Sequence, residues 1–151
     1  MEPVEQARQW YAEELRFTAK VRSSAVVDAF ATVPREQFVG PGPWRIKSPM
    51  NAAEYWTTDD DSPSHVYHDV LIALDESRGI NNGQPSLWAY LFDRLDLVPG
   101  EHVLHLGCGA VTTQLLLPSL LAQPGWLPQW RSTPHWPKRR EPRSQIGPRS
   151  E

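Results

Sequence analysis

Cysteine is almost missing from this chain: Cys108 is the only one among 151 residues. A disulfide within the chain and an all-cysteine metal site are thereby excluded, and a reducing cytoplasm is the expected compartment. Long apolar runs are missing too. No stretch approaches the ~20 residues that cross a bilayer, and the opening "MEPVEQARQWYAEELR" has neither the basic start nor the apolar centre of a secretory signal. A large charge of one sign is also lacking, and a formal net charge of -3 gives no reason to expect nucleic acid as a partner. What is present is a chain that is 40% hydrophobic, enough for one soluble domain with a sizeable core and no membrane span.

Composition changes along the chain. Up to about residue 109 apolar residues recur in patterns, whereas from Pro118 onward prolines crowd in with Trp126, Trp130, Trp136 and several arginines. Proline removes backbone donors and interrupts helices and central strands alike, so this tail has no workable period and is expected to be disordered. The run Lys138, Arg139, Arg140 beside tryptophans offers a nucleic-acid or membrane-surface patch as the sharper reading of the same residues. The plain reading is a solvated tail.

Ahead of the tail the organisation is legible. Pro3 suits the first turn of a helix ending near Ser23, in which Trp10, Leu15, Phe17 and Val21 form a loose stripe. Ser23 or Ser24 caps a second helix, "AVVDAFATV", with Val26, Val27 and Phe30 on one face; Pro34 ends it and opens the short turn "PREQFV". "GPGPWRIKSP" and "TTDDDSPS" read as loops, "VYHDVLIAL" from Val66 to Leu74 as a strand, and "ESRG" as a turn. "PSLWAYLFDRLDL" places Leu87, Leu91 and Leu95 at helical spacing, with Ser86 as its candidate cap. "VPGEHVLHLG" then turns into a strand whose "VLHL" is apolar enough to be covered on both faces in a parallel sheet.

Other polar clusters carry little chemistry. His65 and His68 flank one expected strand while His102 and His105 alternate on another, without the cysteine or carboxylate needed to complete a metal site. The run Asp59, Asp60, Asp61 lacks the glycine and terminal glutamate of a calcium loop and reads as solvated. No metal is expected.

The stretch "HLGCGAVTTQ" is more informative. A strand leads into Gly107 and Gly109 with one residue between them, as if the backbone were about to approach a cofactor, but Val111 stands where a third glycine would continue the loop. Together with "VVDAFATVPREQFV", "YHD", "LIAL" and "GINNGQPSLWAYLFDRLDLVPGEHVLHLGCG", it resembles the N-terminal half of the protein-L-isoaspartate O-methyltransferases over residues 24 to 109. The resemblance implies a Rossmann-like α/β sheet, S-adenosyl-L-methionine as cofactor and a protein or peptide as methyl acceptor. It further implies cofactor-binding positions at Gly107, Cys108, Gly109, Gln84 and Pro85. That family carries a serine in a Ser-Gln-Pro triplet, and Gly83, Gln84, Pro85 match it here without the hydroxyl, so no catalytic residue is assigned.

The genetic code supplies a reason for the break after Gly109. Pairing the last base of each codon with the first two of the next rereads Ala110 to Gln114 as NGT, NAC, NAC, NCA, a set that includes Gly-Tyr-Tyr-Thr, the continuation the family would place there. Tryptophan leaves little freedom further on: Gln129 with Trp130 gives Val or Met, Trp130 with Arg131 gives Glu or Ala, His135 with Trp136 gives Leu, and Trp136 with Pro137 gives Ala. The hidden string is compatible with a second strand ending in acids, where this family grips the cofactor's ribose. One nucleotide lost, or two gained, near codon 110 accounts for it.

The expected organisation is therefore an N-terminal part of a methyltransferase-like domain over residues 1 to 109, followed by an out-of-frame, irregular tail over 110 to 151. In fold class this is α/β, a truncated Rossmann-like methyltransferase fragment with an N-terminal helical region, expected to be inactive as it stands. The alternative is a noncatalytic interaction module that uses the helical N-terminus and the Trp/Arg-rich tail.

Overall fold

The computed structural model describes residues 3 to 51 and 54 to 103. Helix α1 spans Pro3–Thr18 and buries Tyr11, Ala12 and Leu15. Trp10 and Phe17, expected on its inner stripe, face outward. The reason lies in the partner: α1 packs chiefly on α2 (Ser24–Thr32), whose buried Val26, Ala29 and Phe30 meet the Tyr11 side, with the Tyr11 and Phe30 rings edge to face at 6.0 Å. The helix also ends earlier than expected. Lys20 adopts φ 51, and Val21 N–H donates to the Arg16 carbonyl at 3.0 Å while Lys20 N–H donates to the Phe17 carbonyl at 3.3 Å. This pair of bonds closes a helix C-terminus with a left-handed residue, usually glycine, at the position Lys20 fills here.

Ser23 caps α2 as expected, its Oγ accepting from Val26 N–H at 3.4 Å. At the other end Val33 is extended (φ -73, ψ 120), the conformation that a following proline imposes, and Pro34 leads into a 3₁₀ turn over Arg35–Phe38. A second device anchors the start of α2 from outside the helix: Asp93 Oδ1 accepts both Arg22 N–H at 2.7 Å and Ser23 N–H at 2.8 Å.

Four strands follow: β1 (Arg45–Lys47), β2 (Trp56–Thr57), β3 (Leu71–Asp75) and β4 (Ile80–Asn81). They form a sheet of order β2-β1-β3-β4, every pairing antiparallel, with Ile46 opposite Trp56 on one side and Ile72 on the other. Two expectations are corrected here. The "GPGPWRIKSP" loop contains β1, because Ile46 lies between β2 and β3 and is buried among them. The strand expected over Val66–Leu74 starts only at Leu71, since Pro63–Val66 forms a 3₁₀ turn and Tyr67 to Asp69 are drawn into side-chain bonds described below. The "ESRG" turn is present, with Gly79 at φ 67 reversing the chain into β4. Just beyond, the buried Asn82 extends the β3–β4 ladder with its side chain: Oδ1 accepts Ile72 N–H at 2.6 Å and Asn82 N–H donates to the Ile72 carbonyl at 3.1 Å.

Helix α3 (Pro85–Leu95) closes the described part of the fold by packing on α1 and α2. Its inner face is Pro85, Ala89, Phe92 and Asp93, so Leu87, Leu91 and Leu95 lie on the outside despite their spacing. Ser86 does not cap it. Gln84 occupies the capping position and Asp69 supplies the acceptor. The described residues thus combine helices with a small antiparallel sheet; of the "VLHL" stretch only Val103 is among them, and the proposed tail lies wholly outside them. No helix among the described residues is long and apolar enough to cross a membrane.

Candidate functional site

The turn after α2 carries Arg35 and Glu36 inward, against the segment Tyr67-His68-Asp69 that precedes β3. Arg35 is almost wholly enclosed: its Nη1 donates to the Tyr11 hydroxyl at 2.9 Å and to the His68 carbonyl at 3.1 Å, and the guanidinium lies 5.1 Å from the centre of the Tyr11 ring. A cation over an aromatic face is attracted by the ring quadrupole, more so when water is excluded. The other terminal nitrogen, Nη2, is buried and has no hydrogen-bond partner among the described residues.

Tyr67 is the second node. Its hydroxyl accepts from Arg8 Nε at 2.9 Å and from Arg35 N–H at 3.2 Å, and donates to Glu36 Oε2 in a short contact. One donor and two lone pairs are all that a phenol has, so the group is saturated. Arg8 closes the ring through Glu36 Oε1 at 3.3 Å. Burial pushes the Tyr11 hydroxyl up to about 12, with Arg35 drawing it part of the way back and the Asp69 charge adding to the rise. Burial, followed by the bond to Glu36, also raises Tyr67, against the pull of Arg8. Both phenols are therefore neutral at physiological pH and act as fixed hydrogen-bonding groups, not as bases or nucleophiles.

Asp69 links this network to α3. Gln84 Nε2 donates to the Asp69 carbonyl at 2.9 Å and Ser86 N–H donates to Asp69 Oδ1 at 2.8 Å. A carboxylate on the free N–H groups of a first helical turn satisfies donors that would otherwise be orphaned and complements the positive end of the helix. Beside the same turn lies an open groove of about 390 Å³, lined by Thr18, Ala19, Lys20, Ser86, Leu87 and Tyr90.

Among the expected site residues, Gln84 and Pro85 are described. Gln84 Nε2 donates to the Asp69 carbonyl, and Pro85 is buried at the first position of α3, so both residues hold the start of the helix. Gly83, at φ 77, hydrogen-bonds through its N–H to Asn81 Oδ1 at 2.9 Å. Trp88 folds back over it: a Cβ at position 83 would lie 3.1 Å from Trp88 Cδ1, 3.2 Å from Cε2 and closer still to Nε1. Gly107, Cys108 and Gly109, with Val111, lie outside the described residues.

Among the described residues the histidines do not converge. His65 Nε2 pairs with Asp60 Oδ1 at 2.7 Å, and His68 enters the network through its carbonyl. No group of three or more metal-ligating side chains occurs among the described residues. Tyr11, Arg35 and Asp69 were not singled out by sequence reasoning. The available signal for Arg35 was a charged residue directly after Pro34, next to an apolar helix face, and for Asp69 an acid sixteen positions before a proline-started helix. Comparison with protein-family models, with curated proteins and with solved structures finds no match.

Proposed function

We propose that this chain is a methyltransferase-like protein of the S-adenosylmethionine-dependent, protein-L-isoaspartate O-methyltransferase kind, acting in the cytoplasm in its complete Rossmann-like form and inactive as the sequence stands. The observation that carries the reading is the meeting of three separated motifs. "VPRE" supplies Arg35 and Glu36, "YHD" supplies Tyr67, His68 and Asp69, and "GQPS" supplies Gln84 and Ser86, and each set hydrogen-bonds to the next. Words that resemble one family in order along the chain also form one connected network in space, which unrelated coincidences of sequence would not require.

The break after Gly109 accounts for inactivity, and Gly83 leaves the methyl acceptor open. Gly83 has no hydroxyl, and the Trp88 indole fills the space where a side chain at that position would sit. Val111 replaces the third glycine, and the acid expected to hold the cofactor's ribose appears only in the shifted reading frame. Losing a hydrogen bond to such a charged group costs about 1.5 to 3 kcal/mol, roughly one to two orders of magnitude in affinity.

A frame-restored chain tests the proposal beside the present one, by titration calorimetry with S-adenosylhomocysteine and by thermal denaturation. The restored chain is expected to bind and to gain about 2.7 kcal/mol of stability at a hundredfold excess over its Kd, with little change in the present chain. Equal shifts in both, or none in either, would overturn it. A second reading, a noncatalytic interaction module, is favoured by one observation: Trp10 and Phe17, seven positions apart on α1, are both exposed. Silence of both chains toward the cofactor would favour it.

A further inference from the structure

Asn82 stands directly before Gly83, and nowhere else in the chain does an asparagine or aspartate precede a glycine; Asn51 is followed by Ala52 and Asn81 by Asn82. That order bears on the chemistry of the side-chain amide. A glycine has no Cβ to shield its backbone nitrogen or to restrict its approach, so the nitrogen reaches the neighbouring amide carbon more readily than that of any other residue. In the reaction Gly83 N bonds to Asn82 Cγ and the Cγ–Nδ2 bond breaks. Ammonia leaves with the proton of the Gly83 N–H, and water opens the resulting five-membered imide to aspartate or isoaspartate.

The fold holds the two reacting groups apart. Asn82 is 5% exposed and is built into the β3–β4 ladder, with Oδ1 accepting Ile72 N–H at 2.6 Å while Asn82 N–H donates to the Ile72 carbonyl at 3.1 Å. Gly83 N–H, which has to lose its proton, donates to Asn81 Oδ1 at 2.9 Å, and Gly83 itself is fixed at φ 77 under the Trp88 indole. The restraint is local, since β4 is two residues long, lies at the end of the strand order and meets β3 across an irregular register between Ala73 and Asp75. A short, irregular pairing at a sheet margin opens at a lower free energy than the core.

We propose that Asn82-Gly83 is a latent modification site, at which spontaneous deamidation is held off by the bonds to Ile72 and Asn81 and is released when β4 parts from β3. Either product places a carboxylate where closure of the ladder would bury a charge, and isoaspartate also adds one carbon atom to the main chain between β4 and α3. The modification therefore works against return to the closed state.

The test follows the full chain incubated at neutral pH with and without urea, with peptide mass spectrometry reading the conversion of amide to acid at Asn51, Asn81 and Asn82. In urea Asn82 is expected to react ahead of the other two, and in the folded chain at least about tenfold more slowly than in urea, the protection that a closed local structure gives. Asn81→Ala removes the acceptor of Gly83 N–H and is expected to raise the folded-state rate at Asn82 severalfold while leaving the rate in urea unchanged. Tyr11→Phe, a change in a different part of the fold, controls for general loss of stability, the two variants being compared at urea concentrations that leave equal fractions unfolded. Equal rates at Asn82 in the folded and unfolded chain would overturn the proposal, as would a folded-state rate in Asn81→Ala no faster than in Tyr11→Phe.

Discussion

The indole of Trp88 occupies the space that a side chain at Gly83 would need. Gly83 also sits at φ 77, so two separate obstacles, one steric and one conformational, oppose any larger residue. The hydroxyl that the family resemblance leads one to look for at this position has no room beside that ring.

Gly83→Ser is therefore expected to destabilise the chain by about 1 to 3 kcal/mol, combining the left-handed backbone penalty with displacement of the indole. Trp88→Ala removes the obstacle at its own cost, since the indole stacks on Phe92 with ring centres 5.8 Å apart. In a double-mutant cycle by urea denaturation, the pair should cost less than the sum of the single changes by roughly 0.5 to 3 kcal/mol. Strict additivity would show that the indole moves aside freely.

Asp93 connects the end of α3 to the start of α2, and its charge state gives the second prediction. Burial alone would raise this carboxyl, but the N–H groups of Ser23 and Arg22, with the Arg22 guanidinium at 3.1 Å, outweigh it and hold the group below its ordinary value. A lowered folded pKa means stability that is present above the unfolded value of about 3.9 and is lost as pH falls from there through the folded value. Asp93→Asn should cost about 1 to 3 kcal/mol near neutrality and flatten this acid limb. Denaturation measured from neutral pH down to acid, for both proteins, checks it; parallel acid limbs would count against the assignment.

The third prediction runs in the opposite direction. The Tyr11 hydroxyl is raised to about 12, mainly by burial, so it supports the fold below the ordinary tyrosine value of about 10 and withdraws that support as pH climbs from there toward the folded value. Tyr11→Phe keeps the ring under Arg35 but leaves Nη1 with the His68 carbonyl alone. A loss of about 1.5 to 3 kcal/mol at neutral pH is expected, together with a shallower alkaline limb. The same denaturation series carried into alkali decides it.

Helix boundaries, apart from the end of α1, were the most legible part of the fold because they are written in local chemistry. Pro3, Ser23, Pro34 and Pro85 act on their own backbone and one neighbouring turn, and each does here what its type suggests. The faces were less legible. On α1 and α3 the large apolar residues Trp10, Phe17, Leu87, Leu91 and Leu95 point outward, while Ala12 and Ala89 are enclosed beside Tyr11, Leu15 and Phe92 where helices pack. Spacing identifies residues that share a face but not which of two apolar faces another helix takes. β1 was hidden for a different reason: three residues between a Gly/Pro run and another proline carry no period of their own, and pairing on both sides makes them a strand.

The candidate site was legible in part. "VPRE", "YHD" and "GQP" stood out as words, but their connection depends on contacts between residues 15 to 59 positions apart, such as Arg8 with Tyr67 and Gln84 with Asp69. The second acceptor atom for the start of α3 belongs to Asp69, far from the helix in sequence, and so Ser86 was the natural but mistaken choice of cap.

Every tie in that network joins residues between Arg8 and Ser86. A ribosome has therefore made all of its members before it reaches codon 110. A slip of frame at that codon alters nothing the network is built from. Its product would still contain every group that joins the three motifs, while the downstream residues that follow the slip would be replaced.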